Sequence, residues 1–406
     1  MVPNYIRKII SGWSNHSGKV TSYKMKETEM GYRGSKSKFQ IPQPNEIFVK
    51  EQRVDGSYFD YKPKLRCTLT SFERNYQVKI PSKQLNYKSF STLNIITETE
   101  LNPWFLTGFS DAEGCFTIKV QPNYKLKTKW RVRPVFSITL HLKDLPLLEV
   151  IRDSLGVGNI CKNGKKAVIY AVDSIKDMPV ILNHFNKYPL ITHKLSDYLI
   201  FKQCFEIIKR GEHLTEKGLL DIISLKSYLN LGLPDNLKNY FPNHMLLNKK
   251  NKPEYVFKGI PDPFWVSGFT SGDGSFHIVL RNSNTKSGVL ARFSIHLHIR
   301  ELEVLKGIGS YLILNNNSDI QSNNQKKINI SLRDKSVNLQ VTKFSDIVNI
   351  IIPFFNQYPI LGMKRLDYLD FKKVCDIIKT KEHLTSSSVF NHILQIKSGM
   401  NQNRKW

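Results

Sequence analysis

An internal repeat constrains the fold of this chain more than any other feature of its sequence. Residues 103–118 read PWFLTGFSDAEGCFTI and residues 263–278 read PFWVSGFTSGDGSFHI, so Pro, Gly, Phe and Ile recur in register at an offset of 160. Further segments match in the same order while the offset drifts to 157 and then 170, as changes in loop length would cause. They are FSITLH with FSIHLH, FNKYP with FNQYP, DYLIFK with DYLDFK, and EHLT in both copies. The sequence therefore predicts a tandem pseudo-dimer of two units of about 115 residues each.

Each copy predicts the same order of secondary structure. A short apolar helix over residues 102–113 is expected to end at Gly114, acting as a left-handed C-terminal glycine. The pattern then predicts strands at 115–121 and 131–142, a helix at 145–155, strands at 158–162 and 167–172, and helices at 178–188 and 194–210. The expected fold class is α+β, with two tandem αββαββα repeats related by a pseudo-twofold axis. Each antiparallel sheet should pack one face on helices and leave the other face polar.

Charge limits the classes of partner. The chain of 406 residues has 60 Lys and Arg against 34 Asp and Glu, a formal net charge of +26. An excess of this size indicates a polyanion, usually nucleic acid and less often an acidic membrane surface. Membrane insertion is not expected, because no run of about 18 apolar residues occurs. The five cysteines form no C-x-x-C pair, which favours neither a disulfide framework nor a zinc finger.

The outward faces of the predicted strands carry the side chains that contact bases and phosphates in protein–DNA complexes. A basic strand face is usually only a solvated surface, but two matching faces in a chain of this charge favour nucleic-acid binding. The candidate DNA-binding residues are Thr117, Lys119, Gln121, Arg131, Arg133, Ser137, Thr139, His277, Arg281, Arg292, Ser294 and His296.

Small residues mark one face of each repeated helix. Gly108 and Ala112 are four residues apart and therefore share a face, and Gly268 and Gly272 hold the same places in the second copy. Such faces let two helix backbones approach closely. We predict that the two helices form the interface between the copies.

This packing would place Glu113 and Asp273, the last residues of the two helices, close together. Each carboxylate would lie at the negative end of a helix dipole, and the two anions would repel each other. A divalent cation held by oxygen ligands, Mg²⁺ or Mn²⁺, would offset this repulsion and could promote phosphodiester hydrolysis. The alternative is that both are only helix-end acids, but their equivalent places in a repeat favour a metal site.

The paired segments FLTGFSDAEGCF and WVSGFTSGDGSF resemble the signature helices of LAGLIDADG homing endonucleases, of the single-chain kind encoded in mitochondrial introns. The resemblance implies saddle-shaped sheets that straddle double-stranded DNA and a staggered break at a long asymmetric target site, made by a monomer. It implies that Glu113 and Asp273 are the catalytic acids. The residues before them, Ala112 and Gly272, would lend backbone carbonyls to the metal.

Two further positions depend on the resemblance. Lys194 and Lys364 precede the matched Asp-Tyr-Leu segments by three residues, where this family has a lysine that projects into the catalytic pocket. The alternative for each is a lysine on the helix surface. Asp111 has Ser271 as its counterpart, so the second copy is a degenerate form of the motif, but the final acid is kept and activity is expected.

The expected domains are a basic extension over 1–98, a first repeat over 99–219, a linker over 220–261 and a second repeat over 262–400. The extension is either poorly ordered or a small β-appendage. It is similar to the leading segments of fungal mitochondrial intron reading frames, which implies a mitochondrial location. Alternative functions are an intron RNA maturase that binds its host intron RNA, with or without residual cleavage, and a repressor-like DNA binder.

Overall fold

The computed structural model describes residues 101–242, 253–282, 287–315 and 328–404. The predicted extension over 1–98 lies outside the described residues.

The first repeat alternates helices with pairs of strands. Its elements are α1 (Pro103–Glu113), β1 (Gly114–Pro122), β2 (Trp130–His141), α2 (Leu145–Leu155), β3 (Asn159–Asn163), β4 (Ala167–Val172), α3 (Met178–Lys187), α4 (Lys194–Lys209), α5 (Glu216–Lys226) and α6 (Asp235–Tyr240). The strands and helices predicted from the hydrophobic pattern are all present, and their ends shift by at most one residue.

The second repeat follows the same plan. Its elements are α7 (Pro263–Asp273), β5 (Gly274–Asn282), β6 (Ser287–His298), α8 (Leu302–Leu314), β7 (Asn329–Arg333), β8 (Ser336–Val341), α9, α10 (Lys364–Thr380) and α11 (Ser387–Ser398). Helix α9 consists of three consecutive segments, Phe344–Asp346, Ile347–Ile351 and Ile352–Gln357, of which the middle one is π-helical.

The two sheets have the same topology. The strand orders are β1-β2-β4-β3 and β5-β6-β8-β7, and every neighbouring pair is antiparallel. The registers also agree, because Phe116 lies opposite Phe136 and Phe276 lies opposite Phe293. The predicted α+β fold with two antiparallel repeats is confirmed. No helix in the described ranges is long and apolar enough to cross a membrane.

Each repeat has its own hydrophobic core on the helix side of its sheet. In the first core Phe116 contacts the rings of Phe136, Phe185, Tyr198 and Phe201 with centroid distances of 5.1 to 5.5 Å. The second core has the same arrangement around Phe276. Edge-to-face and tilted ring pairs of this kind favour one packing geometry, so they fix how the helices lie on each sheet.

The region predicted as a linker begins inside the first repeat. Helix α5 crosses position 219, and Leu237 and Phe241 in and after α6 are buried in the first core. Phe241 also packs against Trp130 of β2. The domain boundaries remain predictions, and we propose that the first unit extends to Phe241.

Both repeated helices begin in the same way. Asn102 and Asp262 accept hydrogen bonds from the backbone N–H groups of Trp104 and Phe264, and a proline follows each cap. The structure corrects the reason given for Gly114, which is extended (φ −71°, ψ 146°) and starts β1. A Cβ atom there would lie 2.6 Å from the carbonyl oxygen of Ser110, so glycine is required for this close approach.

Candidate active site

Helices α1 and α7 cross with their backbones in contact. A Cβ atom on Gly108 would lie 2.0 Å from the carbonyl oxygen of Trp265, and one on Gly268 would lie 2.1 Å from that of Phe105. Further along, a Cβ atom on Gly272 would lie 2.4 Å from the Cβ of Ala112. All four predicted interface residues therefore lie on the crossing, and at each of the three glycines a Cβ atom would require a neighbouring group to move.

The crossing brings the C-terminal ends of the two helices together. Glu113 Oε1 lies 3.5 Å from the Cβ position of Gly272, the residue before Asp273. Burial raises the pKa of the Glu113 carboxyl, and the charge of Asp273 raises it further. Burial also raises the pKa of Asp273. Within the described ranges no hydrogen bond reaches either carboxylate, so the pair is free to accept a cation.

The two lysines suggested by the family resemblance reach the same place. Lys194, the first residue of α4, donates hydrogen bonds from Nζ to the carbonyl oxygens of Ala112 at 3.1 Å and Ser110 at 3.0 Å. Lys364, the first residue of α10, donates to the carbonyl oxygen of Gly272. Burial lowers the pKa of both ammonium groups, and the two acids oppose that shift. Each cation therefore neutralises part of the charge of the acidic pair.

Asp111 and Ser271 tie each signature helix to the loop before a lysine helix. Asp111 accepts hydrogen bonds from Thr192 Oγ1 at 2.6 Å, the Ile191 N–H at 3.0 Å and Trp265 Nε1 at 2.9 Å. Ser271 Oγ accepts the equivalent hydrogen bond, from the Leu361 N–H, at 3.1 Å. Both side chains are buried and accept these hydrogen bonds, so neither is free to bind a metal ion.

Comparison with known proteins identifies this arrangement. The family described as LAGLIDADG endonuclease matches residues 106–205 and 266–375, one match in each repeat. The chain belongs to this family. It is 38% identical over 96% of its length to a probable intron-encoded endonuclease 3 of Neurospora crassa, of which the match covers 73%.

Solved structures of the family have the same fold. The LAGLIDADG meganuclease I-CpaMI bound to uncleaved DNA is 48% identical, with a TM-score of 0.69 over 74% of this chain and 100% of that one. The homing endonuclease I-SmaMI bound to cleaved DNA is 40% identical, with a TM-score of 0.69 over 75% of this chain and 98% of that one. The predicted enzyme class, DNA endonuclease, is confirmed by these matches.

The endonuclease presents most of the predicted DNA-binding side chains on the open faces of its sheets. Exposed among them are Lys119, Gln121, Arg131, Thr139, His277 and His296, and half-buried are Thr117, Arg133, Arg292 and Ser294. Arg281 lies on β5 opposite Gly288. Ser137 corrects the prediction, since it is only 8% exposed. Its short side chain lies between the flanking strands at Cys115 and Ala171 and presents almost no surface.

One candidate arginine is held in position by neighbouring side chains. Arg133 donates to Asp173 at 3.0 Å and to Gln121 Oε1 at 3.2 Å. Holding the guanidinium in one orientation reduces the entropy lost when it contacts a base or phosphate.

Sequence reasoning missed two polar residues of the second sheet. Asn338 and Gln340 on β8 lie opposite His296 and Ser294, on the open face. Asn and Gln are the side chains that read adenine in the major groove. They alternate with the apolar residues Val337, Leu339 and Val341, and this alternation could have predicted that they lie on the open face.

The repeat also continues further than the matched segments indicated. Asn230 and Asn401 follow LKSYL and IKSGM, and both have left-handed backbones. Each donates from Nδ2 to a carbonyl oxygen of the first strand of its repeat, at Phe116 and Phe276. These paired asparagines fasten the chain after α5 and α11 to the edge of the respective sheet.

Proposed function

We propose that this endonuclease makes a staggered double-strand break at a long asymmetric DNA site by hydrolysis of phosphodiester bonds. The observation that carries the proposal is the paired carboxylates of Glu113 and Asp273 at the meeting ends of α1 and α7. Burial raises the pKa of both carboxyl groups, and the charge of Asp273 raises that of Glu113 further. Such a pair is unfavourable as a purely structural feature, and it suits a bound cation.

The donor set fits a hard divalent cation, Mg²⁺ or Mn²⁺. Glu113 and Asp273 supply carboxylates, and Ala112 and Gly272 supply carbonyl oxygens that have a second lone pair besides the one used by a lysine. Among the described residues no group of three or more His, Cys, Asp or Glu could hold a metal ion, so any metal here would need backbone, water or DNA oxygens as well. A bound cation would activate water and stabilise the leaving oxygen.

The lysines have the complementary task. Lys194 and Lys364 each hold a positive charge next to one acid, where it stabilises the negative charge that develops on a phosphate oxygen. Because both ammonium groups are directed at helix-end carbonyls, their positions depend on the start of α4 and α10.

The open sheet faces supply binding and recognition. Lys119 and Arg131 neutralise phosphates, and this releases counterions and makes binding salt-dependent. The two faces differ in sequence, so the site they read is asymmetric. One chain contains both repeats, and we propose that it acts as a monomer.

The names of relatives support a mitochondrial location. One relative, 42% identical over 41% of this chain, is an uncharacterized 50.9 kDa protein in ND4 intron 1 of Podospora anserina, and another is an uncharacterized mitochondrial protein RF1 of Saccharomyces cerevisiae. The maturase and repressor alternatives gain nothing from the comparisons. Two relatives whose matches cover 96% and 78% of this chain are named endonucleases, and both predicted catalytic acids are present.

The test is a cleavage selection from a randomised duplex library. The wild-type protein should enrich one asymmetric site in Mg²⁺ and bind it without cutting in Ca²⁺, the ion present in the I-SmaMI structure with uncleaved DNA. The Glu113→Gln/Asp273→Asn double variant is the matched control and should bind without cutting in either ion. Splicing of a host intron RNA by a wild-type protein that cuts no duplex would favour the maturase instead.

A further inference from the structure

A carboxylate of the other repeat caps each lysine-bearing helix, and at α4 this adds to Thr192 Oγ1 of the same repeat, which accepts a hydrogen bond from the Lys194 N–H at 3.2 Å. The residues that precede α4 and α10, His193 and Met363, provide no side-chain cap of their own. Asp144 Oδ1 of the first repeat accepts a hydrogen bond from the Met363 N–H at 2.7 Å. Glu301 of the second repeat accepts the His193 N–H with both oxygens at 3.3 Å.

The two acids hold equivalent positions. Asp144 and Glu301 each follow a matched histidine, His141 and His298, by three residues and precede the first residue of α2 or α8. This is the N-cap position, yet neither side chain makes a capping bond with its own helix. The carboxylates point across the interface instead, and the arrangement occurs in both directions.

The contacts are close. Glu301 is 8% exposed and lies 3.3 Å from the Nδ1 of His193. Asp144 Oδ1 lies 2.8 Å from the Cβ position of Gly362, whose φ is +69°, so only glycine lets the carboxylate reach the helix end. A buried carboxylate is costly unless hydrogen bonds satisfy it, and the N–H groups at the start of a helix supply such bonds.

We infer that Asp144 and Glu301 are positioning residues for cleavage, and that each sets the place of the lysine on the opposite repeat. The inference rests on the proposed role of Lys194 and Lys364. We call the pair of contacts Asp144–Met363 and Glu301–His193 the reciprocal clasp. Since the clasped N–H belongs to the residue directly before each lysine, a shift of the helix end moves the ammonium group with it.

The clasp makes each half of the active site depend on both repeats. Asp144 belongs to the repeat of Glu113, but it fixes Lys364, which donates to Gly272 next to Asp273. A displacement of about 1 Å at such a group can reduce a rate by as much as about a hundredfold. Loss of one contact should therefore slow one strand far more than the other.

The experiment follows nicking of each end-labelled strand of the selected duplex. Asp144→Ala should slow by about 10- to 100-fold the strand that Lys364→Ala also slows, and leave the other strand within about threefold. Asp144→Asn keeps an oxygen acceptor for the Met363 N–H and should restore most of the rate. Asp153→Ala, an exposed acid at the other end of α2, is the matched control and should cut both strands at the wild-type rate.

Glu301→Ala should show the opposite strand bias, matching Lys194→Ala. Equal slowing of both strands by Asp144→Ala, or no slowing, would overturn the inference, because a purely structural role has no strand preference. If the alanine variant does not fold, Asp144→Glu moves the carboxylate by one methylene and should give the same bias.

Amide hydrogen exchange over residues 361–366 gives a readout independent of cleavage. In Asp144→Ala it should speed up by about tenfold, with no change in Asp153→Ala, and unchanged exchange would overturn the clasp. A wild-type protein that cuts no duplex would contradict the proposed function, while this exchange measurement would still decide whether the clasp exists.

Discussion

The two repeats share a backbone plan but differ in the chemistry at equivalent positions. Glu113 is matched by Asp273, and buried Asp111 is matched by Ser271, which accepts the same backbone hydrogen bond with a neutral hydroxyl. What stays constant is the place of an acid at the end of each signature helix. The two copies therefore both keep an acid at the end of the helix, whereas the length of that acid and the charge of the buried residue two positions before it differ.

The open sheet faces differ more. On β4 the open face carries Ala167, Ile169 and Ala171, while on β8 the same positions carry Ser336, Asn338 and Gln340. An alanine or isoleucine can contact a thymine methyl group, whereas asparagine and glutamine pair with adenine. A symmetric fold can in this way recognise an asymmetric sequence.

The largest expected effect tests whether the two acids are equivalent. Glu113→Gln and Asp273→Asn should each abolish double-strand cleavage, because either change removes a metal-binding charge, while duplex binding is kept. Asp273→Glu makes the second acid match the first and should still cut. Full cutting by either amide variant would show that the repeats do not share the chemistry.

The next effect concerns the helix crossing. Gly108→Ala and Gly268→Ala should lower the free energy of unfolding by similar amounts, at least about 4 kcal/mol each, because the added methyl meets backbone atoms. Gly309→Ala is the control: its Cβ would lie 3.6 Å from its nearest neighbours, and it should stabilise the helix by about 0.5–1 kcal/mol. Urea unfolding measures all three, and a mild effect at only one crossing glycine would break the symmetry.

Asp111 and Ser271 should differ in what their loss costs. Asp111→Ala leaves buried donors on Ile191, Thr192 and Trp265 without an acceptor and should cost about 3 kcal/mol. Ser271→Ala removes one neutral acceptor and should cost about 1 kcal/mol. Equal losses of stability in thermal or urea unfolding would mean that Ser271 stabilises the second repeat as much as Asp111 stabilises the first.

A smaller effect distinguishes the repeats by pH. Burial raises the pKa of Asp111 to about 6. Because this exceeds the value in the unfolded chain, its stabilising contribution is complete below about pH 4 and is lost as the pH rises through 6. Asp111→Asn should therefore show less loss of stability than wild type between pH 4 and pH 7, by about 2 kcal/mol. Parallel pH profiles would contradict the shift, and Ser271→Ala is the control that keeps it.

Much of the fold and of the candidate site could be predicted from the sequence, because the two copies of the repeat could be compared with each other. Strand alternation predicted the faces of β1 and β2, and the spacing of Gly108 and Ala112 predicted the crossing. The boundary predicted at 219 falls inside α5, because a helix that ends one core and a helix that begins a linker have the same sequence pattern. Ser137 was misplaced since alternation gives the face of a residue but not whether its neighbours cover it.

The sequence by itself determined that two similar units meet through small residues and bring two acids together, because both patterns are local and occur twice. Only the tertiary structure decided which groups surround those acids. The hydrogen bond from the Met363 N–H to Asp144 joins residues that are 219 positions apart, and no periodic pattern in the sequence indicates it. The same holds for the contact of Asp111 with Trp265, since contacts across an interface depend on how two separately folded units dock.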